Sequence, residues 1–145
     1  MSEIKNLWSK DLLKDDDSLL PVTILQEQAR YLNEMTKNIV IAKVSTQQIA
    51  LSSKINETKR GILHSLQIVA PAIGNYDFEL VRVVQEQLLP YPLKVSSPLT
   101  EERYGANNSK DLEDALVLVF NNPKTIAALQ SLIMQSKPQI NHFNY

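Results

Sequence analysis

Hydrophobic and polar residues follow two different periods along this chain, and the change of period divides it into three parts. From Pro21 to Asn38 apolar residues recur at helical spacing, which predicts an amphipathic helix that begins near Pro21. From residue 39 to residue 95 β-branched residues and alternating polarity predict strands. Helical spacing returns after Ser109 and again after Asn122, which predicts two more helices. The chain is therefore expected to be an α+β protein with its sheet between helical ends.

Turn signals divide the central region into short, closely spaced strands. Strands are predicted at residues 39–55, 62–69 and 76–84. Residues 90–95 can form only an edge or bulged strand, because proline cannot donate to a ladder. Connections this short require antiparallel neighbours. The predicted sheet is an antiparallel meander of three to four strands, followed by a loop over residues 96–108 and a C-terminal α-hairpin.

The C-terminal region leaves one assignment open. Residues 112–120 fit either a helix or a buried strand, and an acidic first turn after the Asn108-Ser109 cap favours a helix. Pro138 is predicted to end the last helix. Residues 1–145 are expected to form a single domain with an N-terminal arm at 1–18 and a loosely held tail at 139–145. A helix followed by a curved antiparallel sheet resembles the layout of cystatin-like and nuclear-transport-factor-like proteins, a likeness of topology that implies no function.

Composition and charge narrow the classes of partner. The chain has 145 residues, a formal net charge of -1 and no cysteine. A near-neutral charge provides no long-range field for phosphate backbones or anionic lipid, so nucleic acid and membranes are not expected as partners. The lack of cysteine, of an apolar secretory segment in residues 1–17 and of a long apolar run favours a cytoplasmic protein.

The motifs of common enzymes and cofactor sites are not found in the sequence. The glycines at 61, 74 and 105 are too far apart for a phosphate loop, and no nucleophile elbow occurs. His64 and His142 are the only histidines, too few for a zinc or iron site without thiolates. The run 15–17 of three aspartates is interpreted as an exposed charge cluster. Accordingly no catalytic residue, metal or cofactor is predicted.

Five residues are candidates for a binding role. His64 lies on an otherwise apolar strand face, where a hydrogen-bonded core histidine is the ordinary interpretation. Arg82 falls in phase with apolar residues of its strand, so it is expected to pair with a carboxylate, to mark where the sheet turns to solvent, or to line an anion pocket. Tyr76 and Tyr91 lie beside predicted turns. Trp8 is expected to pack on the domain rather than recruit a partner.

These observations favour a non-catalytic interaction protein over an enzyme. An adaptor, inhibitor or immunity-type subunit would use a sheet face or edge to bind another protein or a second copy of itself, as a homo-oligomer. The alternative is a small-ligand-binding protein or small enzyme with a pocket between sheet and helix, in which His64 and Arg82 would converge.

Overall fold

The structure is a computed structural model that describes residues 3–13, 19–51, 59–86 and 89–140. Within these ranges the elements are, in chain order, the 3₁₀ turn Lys10–Leu13, α1 Pro21–Met35, β1 Ile41–Ala50, β2 Arg60–Ala70, the 3₁₀ turn Pro71–Ile73, β3 Tyr76–Glu86, β4 Leu93–Ser96, β5 Arg103–Ala106, α2 Ser109–Phe120 and α3 Pro123–Ile140. The strands form one antiparallel sheet in the order β1-β2-β3-β4-β5. The predicted α+β class and element order are confirmed.

The sheet differs from the prediction in the number of strands. It has five rather than three to four, because residues 103–106, predicted as loop, form β5. The strand β4 is an inner strand, since it pairs with both β3 and β5. Pro90 and Pro92 lie before it and leave its own amides free to donate. The short sequence of β5 shows no strand pattern, and pairing with β4 is what holds it extended.

The first helix packs through an apolar strip, and it ends where the backbone turns into the left-handed conformation. Ile24, Leu25 and Ala29 are buried against the sheet. Lys37 and Asn38 have φ values of 53° and 63°, which place them in the left-handed region. The helix therefore ends at Met35, three residues before the predicted boundary, and the chain reverses into β1.

The C-terminal helices resolve the open assignment. Residues 112–120 are helical, and the Asn108 side chain accepts a hydrogen bond of 2.8 Å from the Asp111 amide at the N-cap. The last helix runs to Ile140 and passes the proline at 138 that was predicted to end it. The first two residues of the predicted tail are therefore helical, and residues 141–145 lie outside the described ranges.

All three helices contribute to one core on one face of the sheet, called here the covered face. Its members from the helices are Ile24, Leu25, Ala29, Leu112, Ala115, Leu116, Val119 and Leu132. Its members from the strands and from the residue before β1 are Val40, Ala42, Leu66, Ile68, Ala70, Leu80, Val81, Val83, Leu93, Val95 and Ala106. Burial of these side chains is the main stabilising contribution to the fold.

A bulge decides which side chains of β3 enter that core. Leu66 lies opposite Val81 and Gln67 lies opposite Glu79, so Leu80 is an extra residue in the strand. An extra residue reverses the alternation of sides for the remainder of its strand. The valines at 81 and 83 therefore face the helices, and the even-numbered residues beyond the bulge face the opposite side, called here the open face.

Candidate functional site

His64 is a buried connector between strands. It lies on the covered face with 5% of its surface exposed. Its Nδ1 is 2.9 Å from Thr46 Oγ1 and its Nε2 is 2.9 Å from Gln85 Oε1, while Gln85 Nε2 donates to the Leu89 carbonyl at 3.3 Å. Both ring nitrogens thus have a partner inside the protein. The histidine links β1 to β3 across β2 and leaves no nitrogen free for an incoming group.

Arg82 belongs to the open face and does not meet His64. The histidine is paired with Val83, whereas Arg82 is paired with Ser65, so the two candidate side chains lie on opposite sides of adjacent strands. Arg82 Nε is 3.2 Å from Glu79 Oε1, and the other oxygen of Glu79 accepts a short hydrogen bond from Ser65 Oγ. The expected shared face with the first residues of β3 is wrong because the bulge intervenes. Of the three interpretations offered by the sequence, pairing with a carboxylate matches this geometry.

Tyr91 holds two parts of the chain together. Its hydroxyl donates to the Leu19 carbonyl at 2.9 Å, which ties the entrance of α1 to the segment before β4. Burial raises the pKa of the Tyr91 hydroxyl above its ordinary value, and the negative charge of Glu113 adds to the rise. The raised pKa favours the protonated phenol, and only the protonated phenol can donate this hydrogen bond. Tyr91 can therefore position the segment before β4 against the start of α1.

Tyr76 and Trp8 are both exposed. Tyr76 begins β3 with 55% of its surface exposed, beside a cleft that Phe78 and Leu132 also line. Trp8 has 76% of its surface exposed, and its amide donates to the Asn6 side chain at 3.0 Å. Trp8 therefore does not pack on the domain as the sequence predicted. The arm in which it lies contributes no buried residue over 3–13.

A polar network missed by the sequence analysis joins β5 to the junction of α2 and α3. Glu102 accepts a short hydrogen bond from the Tyr104 hydroxyl and one of 2.8 Å from Asn122 Nδ2. The bond from Tyr104 is the main cause that lowers the pKa of Glu102, with smaller contributions from Thr100 and Asn122. The same bond raises the pKa of Tyr104. Glu102 and Tyr104 are two residues apart, but Asn122 reaches them only because α2 packs against β5, and local sequence carries no signal for that contact.

The open face carries a second apolar cluster, called here the open-face cluster, made of Ile49, Leu51, Leu63 and Val84. Leu63 is paired with Val84 and is 2% exposed, yet it does not belong to the core beneath the helices. A side chain at Gly61 would approach Leu51 Cδ1 to 2.5 Å, so the glycine makes room for that leucine to lie over β2. Leu51 and Val84 also line a cleft of about 310 Å³ with Lys94 and Gly105. Apolar material therefore gathers on the side of the sheet without helices.

The outer edge of β1 is closed at one end only. Asn33 Oδ1 accepts from the Ala42 amide at 2.6 Å, and its Nδ2 donates to the Ala42 carbonyl at 3.3 Å. Thr36 Oγ1 donates to the Val40 carbonyl at 3.0 Å. These side chains from α1 and its C-terminus bond to backbone groups at the beginning of β1 that would otherwise pair with a neighbouring strand. The part from Val44 to Ala50, called here the free edge, has no such cover among the residues that the structure describes.

Within the described ranges no group of three or more His, Asp or Glu side chains could hold a metal ion. No helix among the described residues is long and apolar enough to cross a membrane. Comparison with known proteins finds no family model, curated protein or solved structure that matches the chain. Any functional argument therefore rests on the chain's own geometry.

Proposed function

We propose that this protein is a non-catalytic interaction protein, of the adaptor, inhibitor or immunity type, that binds a protein partner through the open face of its sheet and the free edge beside it. The observation that carries the proposal is the one-sided packing of the helices. All the helical core residues lie against one face, and the open-face cluster lies on the other. A partner that covered this cluster would remove its remaining exposed apolar area from water.

The chemistry around the open-face cluster suits a protein surface better than a small molecule. Charged side chains of both signs surround the apolar positions, and they include Lys94, Arg82 and Glu86. An apolar centre within a charged rim is the usual composition of a protein interface. The exposed backbone of the free edge adds hydrogen-bonding groups that an extended peptide can satisfy.

The proposal is tested with paired substitutions on the two sides of the molecule. Val84→Glu places a charge in the open-face cluster, where Lys94 on the paired strand can neutralise it within the fold. Leu118→Glu makes the same kind of change at a 53% exposed position of α2. Immobilised protein would capture partners from host extract. Each identified partner would then be purified, and its affinity for both variants would be measured by calorimetry.

A partner of the proposed kind should bind Val84→Glu at least about tenfold more weakly than the unmodified protein, which corresponds to a loss of about 1.4 kcal/mol. Its affinity for Leu118→Glu should be unchanged. Circular dichroism and thermal unfolding of both variants establish that they are folded. Equal binding by the two variants would refute the open face as the interaction surface, and so would the failure of any host protein to bind at micromolar concentration.

A further inference from the structure

The hydrogen-bonding pattern of β1 determines which of its backbone groups point away from the sheet. The Leu51 amide donates to the Lys59 carbonyl at 2.8 Å, so these two residues form a hydrogen-bonded pair at the end of the β1–β2 ladder. Antiparallel ladders alternate between bonded and non-bonded pairs. The odd-numbered residues of β1 therefore bond to β2, and the even-numbered residues direct their N–H and C=O groups outward. The contact between Asn33 and Ala42 agrees with this assignment.

Asn33 satisfies the backbone groups of Ala42, so four outward-pointing residues of β1 are left without a backbone partner in the described part of the chain. They are Val44, Thr46, Gln48 and Ala50. The free edge that they form has no charge, proline or register shift, although these are the usual devices that prevent edge pairing. The nearest charge on the strand is Lys43, which lies on the side of the edge that Asn33 already covers. This edge can accept another strand directly.

We propose that the occupant of the free edge is the same edge of a second copy of this chain, paired antiparallel about a two-fold axis at Gln47. In this register Val44 exchanges hydrogen bonds with Ala50 of the second copy, and Thr46 does so with Gln48 of the second copy. Every outward-pointing group left open by Asn33 is satisfied, and none is left over. The inference rests on the proposed function in that it identifies the partner of the edge.

Neighbouring registers satisfy the edge less well. An axis at Thr46 would place Ala50 of the second copy against Ala42, whose amide and carbonyl already bond to Asn33. An axis at Gln48 would leave Val44 without a partner on β1 of the second copy. Of these three axes, only the one at Gln47 pairs all four open residues with β1 of the second copy and leaves Ala42 bonded to Asn33.

The side chains also support pairing between identical strands. Residues 44–50 carry no charge, so no two like charges face each other across the axis. The two copies of Gln47 meet on the open face, where their amides can bond to one another. A cleft of about 390 Å³ between α1 and Val44 lies beside the place where Ala50 of the second copy arrives.

The proposed dimer would enlarge the open face. Residues directly opposite in an antiparallel pair project to the same side of a sheet, so all the helices of both copies would lie on one side. The two five-stranded sheets would become one continuous sheet. The two open-face clusters, each next to its own free edge through Ile49, would lie on the same uncovered surface.

The absence of cysteine from the chain permits a direct test of the register. Gln47→Cys would place two thiols opposite each other in a non-hydrogen-bonded pair, within the span of a disulfide. We expect mild oxidation to convert this variant to a covalent dimer on a non-reducing gel. Ser45→Cys, on the same strand and the same face, should not link to itself, because Ile49 of the second copy lies opposite. A mixture of Ser45→Cys and Ile49→Cys should form the heterodimer.

Light scattering tests the association without a cross-link. The unmodified chain should have twice the monomer mass at high micromolar concentration. Gln47→Lys brings two like charges together at the axis and should weaken the dimer about fivefold, an effect that added salt reduces. Ser45→Lys adds the same charge away from the axis and should leave the dimer intact. Both positions are exposed, so the fold should tolerate either lysine.

A monomeric unmodified chain would overturn the inference, and so would self-linking of Ser45→Cys at the rate of Gln47→Cys. These failures are separable from failure of the proposed function. If the chain is monomeric but Val84→Glu still loses its host partner, only the edge pairing is refuted. If the dimer forms but host partners do not distinguish Val84→Glu from Leu118→Glu, only the proposed function is refuted.

Discussion

The two faces of the sheet are built from the same strands but differ in how they meet their surroundings. On the covered face Ile68, Val81 and Val83 have none of their surface exposed, and side chains from all three helices pack over them. On the open face Arg82 pairs with Glu79 in partial contact with water, and the open-face cluster and the half-buried pair Ile41 and Val69 are apolar. The side chains of the covered face are buried by the helices of the same chain. Among the described residues no helix packs on the open face, and the edge of β1 beside it is without a neighbouring strand.

The largest expected effect comes from a cavity on the covered face. Ile68→Ala removes part of a fully buried side chain and should lower the free energy of unfolding by about 3 kcal/mol. Lys94→Ala, an exposed change on the open face, should alter it by no more than about 0.5 kcal/mol. Urea unfolding followed by circular dichroism measures both. Similar losses for the two variants would contradict the assignment of faces.

A smaller effect is expected from the polar link on the covered face. Gln85→Leu leaves the Nε2 of His64 without its partner in a buried position, which should cost about 2 kcal/mol. Gln67→Leu changes an exposed glutamine on the open face and should be close to neutral. The comparison uses the same denaturation assay. A neutral Gln85→Leu would show that the histidine does not depend on this bond.

The Glu102 network predicts a dependence on pH. The pKa of Glu102 lies below its ordinary value of 4.5 in the folded protein, so its carboxylate stabilises the fold above that pH. This contribution is lost as the pH falls through the lowered pKa. The difference in free energy of unfolding between the unmodified chain and Glu102→Gln should therefore be largest at neutral pH and shrink on acidification below 4.5. Urea titrations across this range test it, and a difference independent of pH would contradict the network.

The smallest effect belongs to the ion pair on the open face. The side chain of Arg82 is 46% exposed, so water screens its attraction to Glu79. Arg82→Ala should lower the free energy of unfolding by no more than about 0.5 kcal/mol. A double-mutant cycle with Glu79→Gln isolates the pair. A coupling energy above about 1.5 kcal/mol would mean that the pair is shielded from water, and the contrast between the faces would then be weaker than proposed.

Local sequence patterns predicted most of the fold but little of the candidate site. The helical spacing at Ile24, Leu25 and Ala29 predicted α1, and the Asn108 cap predicted α2, because both signals arise within a few residues. The strand β5 escaped prediction since its four residues depend on pairing with β4. The face on which Arg82 lies was predicted wrongly for a similar reason. A bulge is a property of two paired strands and cannot be seen in the period of one.

The sequence alone therefore determined the class, the order of elements and the antiparallel connections, since these follow from periodicity, capping and loop length. The tertiary structure alone decided which side of β3 its residues face, where Trp8 lies and which part of the β1 edge Asn33 leaves open. Such features depend on contacts between residues that are distant in the chain. No local preference encodes them, because their energies appear only when the strands and helices have come together.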